Sequence, residues 1–130
     1  MSRFRIVLLS AIIFSIASCK PSITRQALYG KWNYTKLENA KENAANTDLK
    51  IKAQQPAIEF TRQDSLIMTW GGSVFAKGKF RVDGNKILFN QDLEDGRKYE
   101  YSFVVDELAG KQIVFETTNG EPSTVTAVKQ

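Results

Sequence analysis

Val74-Phe75-Ala76-Lys77-Gly78-Lys79-Phe80-Arg81-Val82 is the stretch on which the fold turns. Val74, Ala76, Gly78, Phe80 and Val82 fall on one side of an extended chain, and Phe75, Lys77, Lys79 and Arg81 on the other. This is the two-residue period of a strand with one buried face. Toward the C-terminus, Ile87 and Phe89 mark a further strand. Tyr99, Tyr101, Phe103 and Val105 mark another, Ile113 and Phe115 a third, and Val125 and Ala127 a fourth. Toward the N-terminus, Leu66 to Trp70, Ala57 to Thr61, and Lys31 to Asn39 with Trp32, Tyr34 and Leu37 complete the set. Ile23 to Leu28 offers about one helical turn, which Gly30 ends. Eight short strands in about 100 residues, with no long helical pattern, predict an antiparallel barrel or sandwich.

The connections decide between the two. Ala40 to Pro56 is long, the turn at Gln63 and Asp64 tight, Gly71-Gly72-Ser73 roomier, and Asp83-Gly84-Asn85 tight. Asp92 to Gly96 follows, then a tight Ala109-Gly110, then Asn119 to Pro122. In an up-and-down meander alternate links lie at opposite ends, so this order predicts a cup with a closed base and a loop-fringed mouth. A sandwich of Greek-key type needs long crossings instead. The expected fold is therefore all-β, an eight-stranded antiparallel up-and-down barrel closed between the strands of Trp32 and Val125. Lys41 to Gln55 reads as a mobile mouth flap, with Leu49 and Ile51 forming a short extra strand that Pro56 ends.

Composition bounds the chemistry. The chain has 130 residues, 42% hydrophobic and 25% charged, which fits one folded domain and excludes collagen-like, disordered and multi-span membrane classes. It has no histidine and a single cysteine. That removes an intramolecular disulfide and nearly every zinc, haem, iron-sulfur, Cys-His and Ser-His-Asp chemistry. No cofactor or metal is expected.

Arg3 and Arg5 precede eleven uncharged residues, Ile6 to Ile16, the basic-then-apolar layout of a secretory signal. A membrane-spanning helix needs about 20 apolar residues, and Lys20-Pro21-Ser22 follows at once, so the segment targets rather than spans. Ile16-Ala17-Ser18-Cys19 resembles the lipobox of bacterial lipoproteins. The resemblance implies cleavage after residue 18 and acyl chains on Cys19. The expected organisation is a signal peptide at 1–18, a lipidated tether at 19–22 and a barrel domain at 23–130. The mature chain would keep 112 residues with 16 cations against 14 carboxylates, too balanced for a nucleic-acid partner. The alternating Lys77, Lys79 and Arg81 read as the solvated outer face of a strand.

The short turn leading into Gly30-Lys31-Trp32, at the start of the first of eight meandering strands, resembles the Gly-x-Trp signature that opens the lipocalin barrel. The long first link is similar to the lipocalin mouth flap. More closely, Gly30/Trp32, Phe60 and Gly78/Phe80 resemble the short lipocalin-like domains of secreted Bacteroidota lipoproteins, over about Ile23 to Gln130. The resemblance implies that Trp32 seals the base. It also implies that Lys129 is the basic residue that covers this tryptophan from the last strand.

Other constellations do not hold. Gly72 to Lys79 has five residues between its glycines where a phosphate loop needs four, and Phe80 where that loop needs Ser or Thr. Asp92, Glu94, Asp95 and Gly96 fail the calcium-loop register, which would place Leu93 third and Ser102 twelfth. Asn33-Tyr34-Thr35 matches a glycosylation acceptor only formally. No carboxylate is embedded in an apolar run that would raise its pKa.

Trp32, Tyr34, Phe60, Met68, Trp70, Phe80, Phe89, Tyr99, Tyr101, Phe103 and Phe115 are all expected inward, and so many rings favour a filled barrel over an open cavity. Should a cavity exist, Leu37, Ile58, Trp70, Val74, Phe89, Tyr99 and Phe115 would line it, for a small apolar or amphipathic ligand. Two readings stay open, and oligomeric state with them. One is a non-enzymatic lipoprotein of the cell envelope, anchored to the outer membrane and facing periplasm or exterior, that binds such a ligand in its mouth. The other is a solid barrel whose loops contact an envelope protein or polysaccharide. An enzyme is the remotest class, because catalysis would run on Tyr, Lys or carboxylates alone.

Overall fold

The computed structural model describes residues 22–130, so the signal segment 1–18 and Cys19 lie outside the described residues. A short helix, α1 (Arg25–Leu28), precedes β1 (Gly30–Asn39). Then come α2 (Ala44–Gln54), β2 (Ala57–Phe60), β3 (Ser65–Trp70), β4 (Ser73–Asp83) and β5 (Lys86–Asp92). β6 (Lys98–Ala109), β7 (Gln112–Thr117) and β8 (Ser123–Lys129) complete the chain. Each strand pairs antiparallel with the next, and β8 returns to β1 from Trp32↔Lys129 to Asn39↔Ser123. The barrel is closed, which leaves no free pair of sheet edges between first and last strands.

The interior follows from the alternation of the strands. Trp32, Phe60, Phe89, Phe103 and Phe115 are fully buried, together with Leu28, Ile58, Leu66, Ile87, Ile113 and Val125. Phe60 meets Phe80 edge-on at 5.1 Å between centroids, and Phe103 meets Phe115 at 5.6 Å. Burying each such side chain contributes about 1.5 to 3 kcal/mol. Gly78 is buried on β4, paired with Gln91 of β5. A Cβ there would sit 2.0 Å from the Asn90 carbonyl oxygen, so the position admits only glycine.

The base is sealed by α1 and the tight turns. Thr24 caps α1 by accepting from the Ala27 N–H, and the Ile23 N–H donates to Gly84 O at 2.9 Å, tying the incoming chain to the β4–β5 turn. Asp64, in the left-handed region at φ 60°, accepts from Arg25 at 2.8 Å and from the Tyr29 hydroxyl at 3.2 Å. The Trp32 indole donates to Leu28 O at 2.8 Å, and the Lys129 ammonium stands 4.9 Å from the indole ring. Gly30, at φ 127°, leaves room for that lysine, whose Cδ would lie 3.3 Å from a Cβ.

The mouth departs from expectation in one element. In place of the short strand expected at Leu49 and Ile51, the segment 41–55 holds the helix α2, to which both residues belong. Asn43 caps its start by accepting from the Asn46 N–H at 2.9 Å, and Gln55 ends it in the left-handed conformation just before Pro56. β2 has only four residues, so the upper half of β1 has no strand on that side, and α2 occupies the gap. The Gly71 N–H donates to Gln54 O at 2.7 Å and the Tyr34 N–H to Pro56 O at 3.0 Å, pinning the helix end between β1 and the β3–β4 turn.

Candidate functional site

The mouth is where the filled interior gives way to polar side chains. Tyr34 on β1 and Tyr101 on β6 stand above Phe115, Phe103 and Phe89. Tyr34 lies edge-on to Phe115 at 6.1 Å, and Tyr101 lies edge-on to Phe89 at 5.3 Å and to Phe103 at 5.4 Å. Tyr99 continues the stack outward, 5.5 Å from Tyr101. The Tyr101 hydroxyl donates to Gln91 Oε1 at 3.1 Å, and the Tyr99 hydroxyl donates to Asn119 Oδ1 at 3.2 Å. A continuous column of rings therefore runs from rim to core.

Burial pushes the Tyr34 phenol well above its ordinary value, with Tyr101 adding to the rise. Burial, then the neighbouring Tyr99, raises Tyr101 in the same way. Both phenols hold their protons at neutral pH, and that of Tyr101 serves as a neutral donor to Gln91.

Beside this column, β1 and α2 enclose a cleft of about 440 Å³ walled by Leu37, Asn39, Glu42, Ala44, Thr47 and Asp48. Thr47 is the buried polar residue of the helix, its hydroxyl donating back to Ala44 O at 3.0 Å. Lys36 and Glu38 pair at 2.7 Å along the outer side of the cleft. The hydrogen bond and charge of Glu38 hold the lysine above its ordinary pKa.

The seven residues expected to line a cavity separate into three environments. Ile58, Phe89 and Phe115 are sealed in the core. Leu37 packs against that core from the rim and borders the β1–α2 cleft, while Trp70 is half-buried. Val74 and Tyr99 are exposed, at 57% and 47%. Val74 is displaced by a bulge. The pairing steps from Met68↔Ala76 to Thr69↔Val74, which sets Val74 opposite the outward Thr69 and leaves Phe75, also 57% exposed, beside it. An unbroken alternation would have kept Val74 inward. Tyr99 lies near the start of β6, where the rim is open.

Gln91, Asn119 and Thr47 were not singled out in the sequence. Gln91 carries a signal, since it continues the inward parity of Ile87 and Phe89. Asn119 and Thr47 carry none, because a loop amide and a helical threonine look alike wherever they occur.

Among the described residues no helix is long and apolar enough to cross a membrane, and no three metal-ligating side chains gather. No known protein family matches the chain, and no curated protein is significantly similar to it in sequence.

Proposed function

We propose that this protein is a membrane-tethered, non-enzymatic lipoprotein of the cell envelope, lipocalin-like in layout. In this reading it works through its mouth-end surface rather than through an internal chamber. The observation that carries the reading is the run of contacting rings from Tyr99 through Tyr101, Phe89 and Phe103 to Phe115, whose three phenylalanines are fully buried and fill interior space that a carrier would leave to its cargo. The tether rests on Ile16-Ala17-Ser18-Cys19 behind an apolar segment too short to span. The contact surface is the β3–β4 hairpin, where Val74 and Phe75 stand exposed next to the half-buried Trp70. Exposed apolar side chains grouped in this way suit a partner surface.

A second reading is favoured by the β1–α2 cleft, whose volume of about 440 Å³ falls within the range of small-molecule sites. It would take a small amphipathic ligand, its apolar part on Leu37 and its polar part toward Asn39 and Thr47.

A fluorescent apolar probe separates the two. A filled barrel takes up no probe. Uptake that a lipid extract displaces, and that Leu37→Asp abolishes, overturns the first reading in favour of the second. The tether is tested by Cys19→Ser, which is expected to move the protein from the membrane to the soluble fraction with its denaturation midpoint unchanged. Retention in the membrane contradicts the lipoprotein assignment.

A further inference from the structure

At the mouth, β5, β6 and the β7–β8 connection set one open ring between two amides. Tyr99 is 47% exposed, and Gln91 stands directly opposite it in the β5–β6 register. Asn119, in the β7–β8 connection, accepts from the Tyr99 hydroxyl at 3.2 Å, and Gln91 accepts from the Tyr101 hydroxyl at 3.1 Å. Tyr101 is itself packed on Phe89 and Phe103, and it braces Tyr99 at 5.5 Å between centroids. Each amide oxygen is thus engaged by a phenol. That contact orients the side chain and leaves its N–H groups without an acceptor among the described residues. No buried side-chain nitrogen lacks a partner among those residues, so the free N–H groups of Gln91 and Asn119 reach solvent.

We infer that this rim is a binding ledge for a neutral oligosaccharide built of pyranose rings. The inference is independent of the tether and of the β3–β4 hairpin. Three features select this class of ligand. A pyranose presents a face of C–H groups that suits the negative face of an aromatic ring, and Tyr99 is the ring left open. Its hydroxyls accept hydrogen bonds, and Gln91 and Asn119 flank Tyr99 with donors already oriented, so little side-chain freedom is lost on binding. The charges beside the ledge are matched within the protein, Lys98 with Asp92 and Arg97 with Asp95, which favours neither an anion nor a cation. A wholly apolar ligand would strip water from the amides without replacing their hydrogen bonds. A protein partner finds better anchors on other elements, because the remaining large exposed apolar side chains among the described residues are Val74 and Phe75 on β4, Leu49 on α2 and Val128 on β8. Past Asn119 the connection leads into Ser123, whose hydroxyl accepts from the Asn39 amide at 3.2 Å at the border of the β1–α2 cleft. The polar rim therefore continues beyond Tyr99, and a chain of several sugars matches its extent better than a single one.

The test uses the full lipidated chain in phosphatidylcholine nanodiscs, since detergents with sugar headgroups would compete. Immobilised discs are titrated with four neutral polysaccharides, pullulan, laminarin, galactomannan and xyloglucan, with glucose as the single-sugar control. At least one polymer should bind, and more tightly than glucose. Tyr99→Ala should weaken that binding about ten-fold, through lost stacking and contact area. Gln91→Ala and Asn119→Ala should each weaken it about three- to ten-fold, the effect of one lost hydrogen bond. Tyr99→Phe, which keeps the ring, should lose less than Tyr99→Ala, and Phe75→Ser on the hairpin should change nothing. Circular dichroism checks the fold of every variant, and Asn119→Ala, on an exposed connection, carries the test if Tyr99→Ala disturbs β6.

No binding to any of the four polymers overturns the ledge, as does binding that both Tyr99→Ala and Asn119→Ala leave unchanged. Preference for alginate over all four, abolished by high salt, reassigns the rim to an anionic ligand and overturns the neutral class. Cross-linking from position 99 to an envelope protein, with no polysaccharide bound, reassigns it to a protein partner. The Cys19→Ser chain should bind the same polymer with the same affinity. Loss of membrane attachment with sugar binding kept therefore concerns the tether alone, and loss of sugar binding on attached protein concerns the ledge alone.

Discussion

The two ends of this barrel are built from the same eight strands and differ in what closes them. At the base, α1 and three tight turns leave Trp32 without solvent contact, and backbone bonds from Ile23 to Gly84, Phe80 to Asp64 and Val105 to Asn85 lock the turns together. At the mouth, the loops are longer, β2 is too short to pair with the upper half of β1, and an eleven-residue helix with a polar buried residue fills the place of a strand. Closure at one end and substitution at the other show how a barrel can concentrate stability at the end opposite its open rim. The base needs complementary packing around one indole. The mouth needs only that water stay out of the ring column beneath it.

The contrast is tested most severely by exchanging its two tryptophans for alanine. Trp32→Ala is expected to cost about 3 to 5 kcal/mol in denaturant titration, the range for deleting a buried large aromatic. Trp70→Ala, at the half-buried rim, should cost less than about 2 kcal/mol. Equal losses would erase the distinction between the ends. Next in size is Gly78→Ala, where a methyl group would overlap the Asn90 carbonyl. Overpacking of this kind costs about 1 to 3 kcal/mol, and more when the obstacle is backbone. Gly84→Ala, at φ 60° in the base turn with open space around it, tests backbone strain alone and should cost about 1 kcal/mol.

The phenols give the mouth its own pH signature. Tyr34 and Tyr101 have folded-state pKa values above the unfolded value of about 10, so the folded barrel favours their protonated forms. Their contribution is complete below about pH 10. It is lost as pH rises above that value, by up to about 1.4 kcal/mol per pH unit for the buried Tyr34 and by less for the half-exposed Tyr101. Tyr34→Phe should flatten this alkaline loss, measured as midpoint against pH from neutrality upward. An unchanged slope would place the Tyr34 hydroxyl in water. The smallest effect belongs to the helix. Asn43→Ala removes the cap of α2 at a cost of about 1 kcal/mol and should speed amide exchange in 44–54 without touching the base.

The same division explains what could be read in the sequence. Strands declared themselves where inward rings alternate with outward charges, as in β4 and β6, and tight turns announced the base through Asp83-Gly84-Asn85 and Ala109-Gly110. The helix α2 did not, because Leu49 faces solvent and the residue it buries is Thr47, so no apolar stripe at helical spacing exists. Its readable signals were Asn43 at the cap and Pro56 beyond the end. Val74 was misplaced for a different reason. A bulge adds a residue to one strand without any mark in composition, and alternation carried past it assigns the wrong face. Features fixed by local chemistry were legible, whereas features fixed by how two strands register were not.

Native-state hydrogen exchange tests the central claim, a sealed base beneath a looser mouth, most directly. The amides of Ile23, Phe80 and Val105 at the base should exchange only through global unfolding, with denaturant dependence equal to that of the whole barrel. Those of Gln55, Gly71 and Leu93 at the mouth should exchange through local openings that denaturant barely changes. Base amides exchanging as fast as mouth amides, with the same small denaturant dependence, would contradict the account.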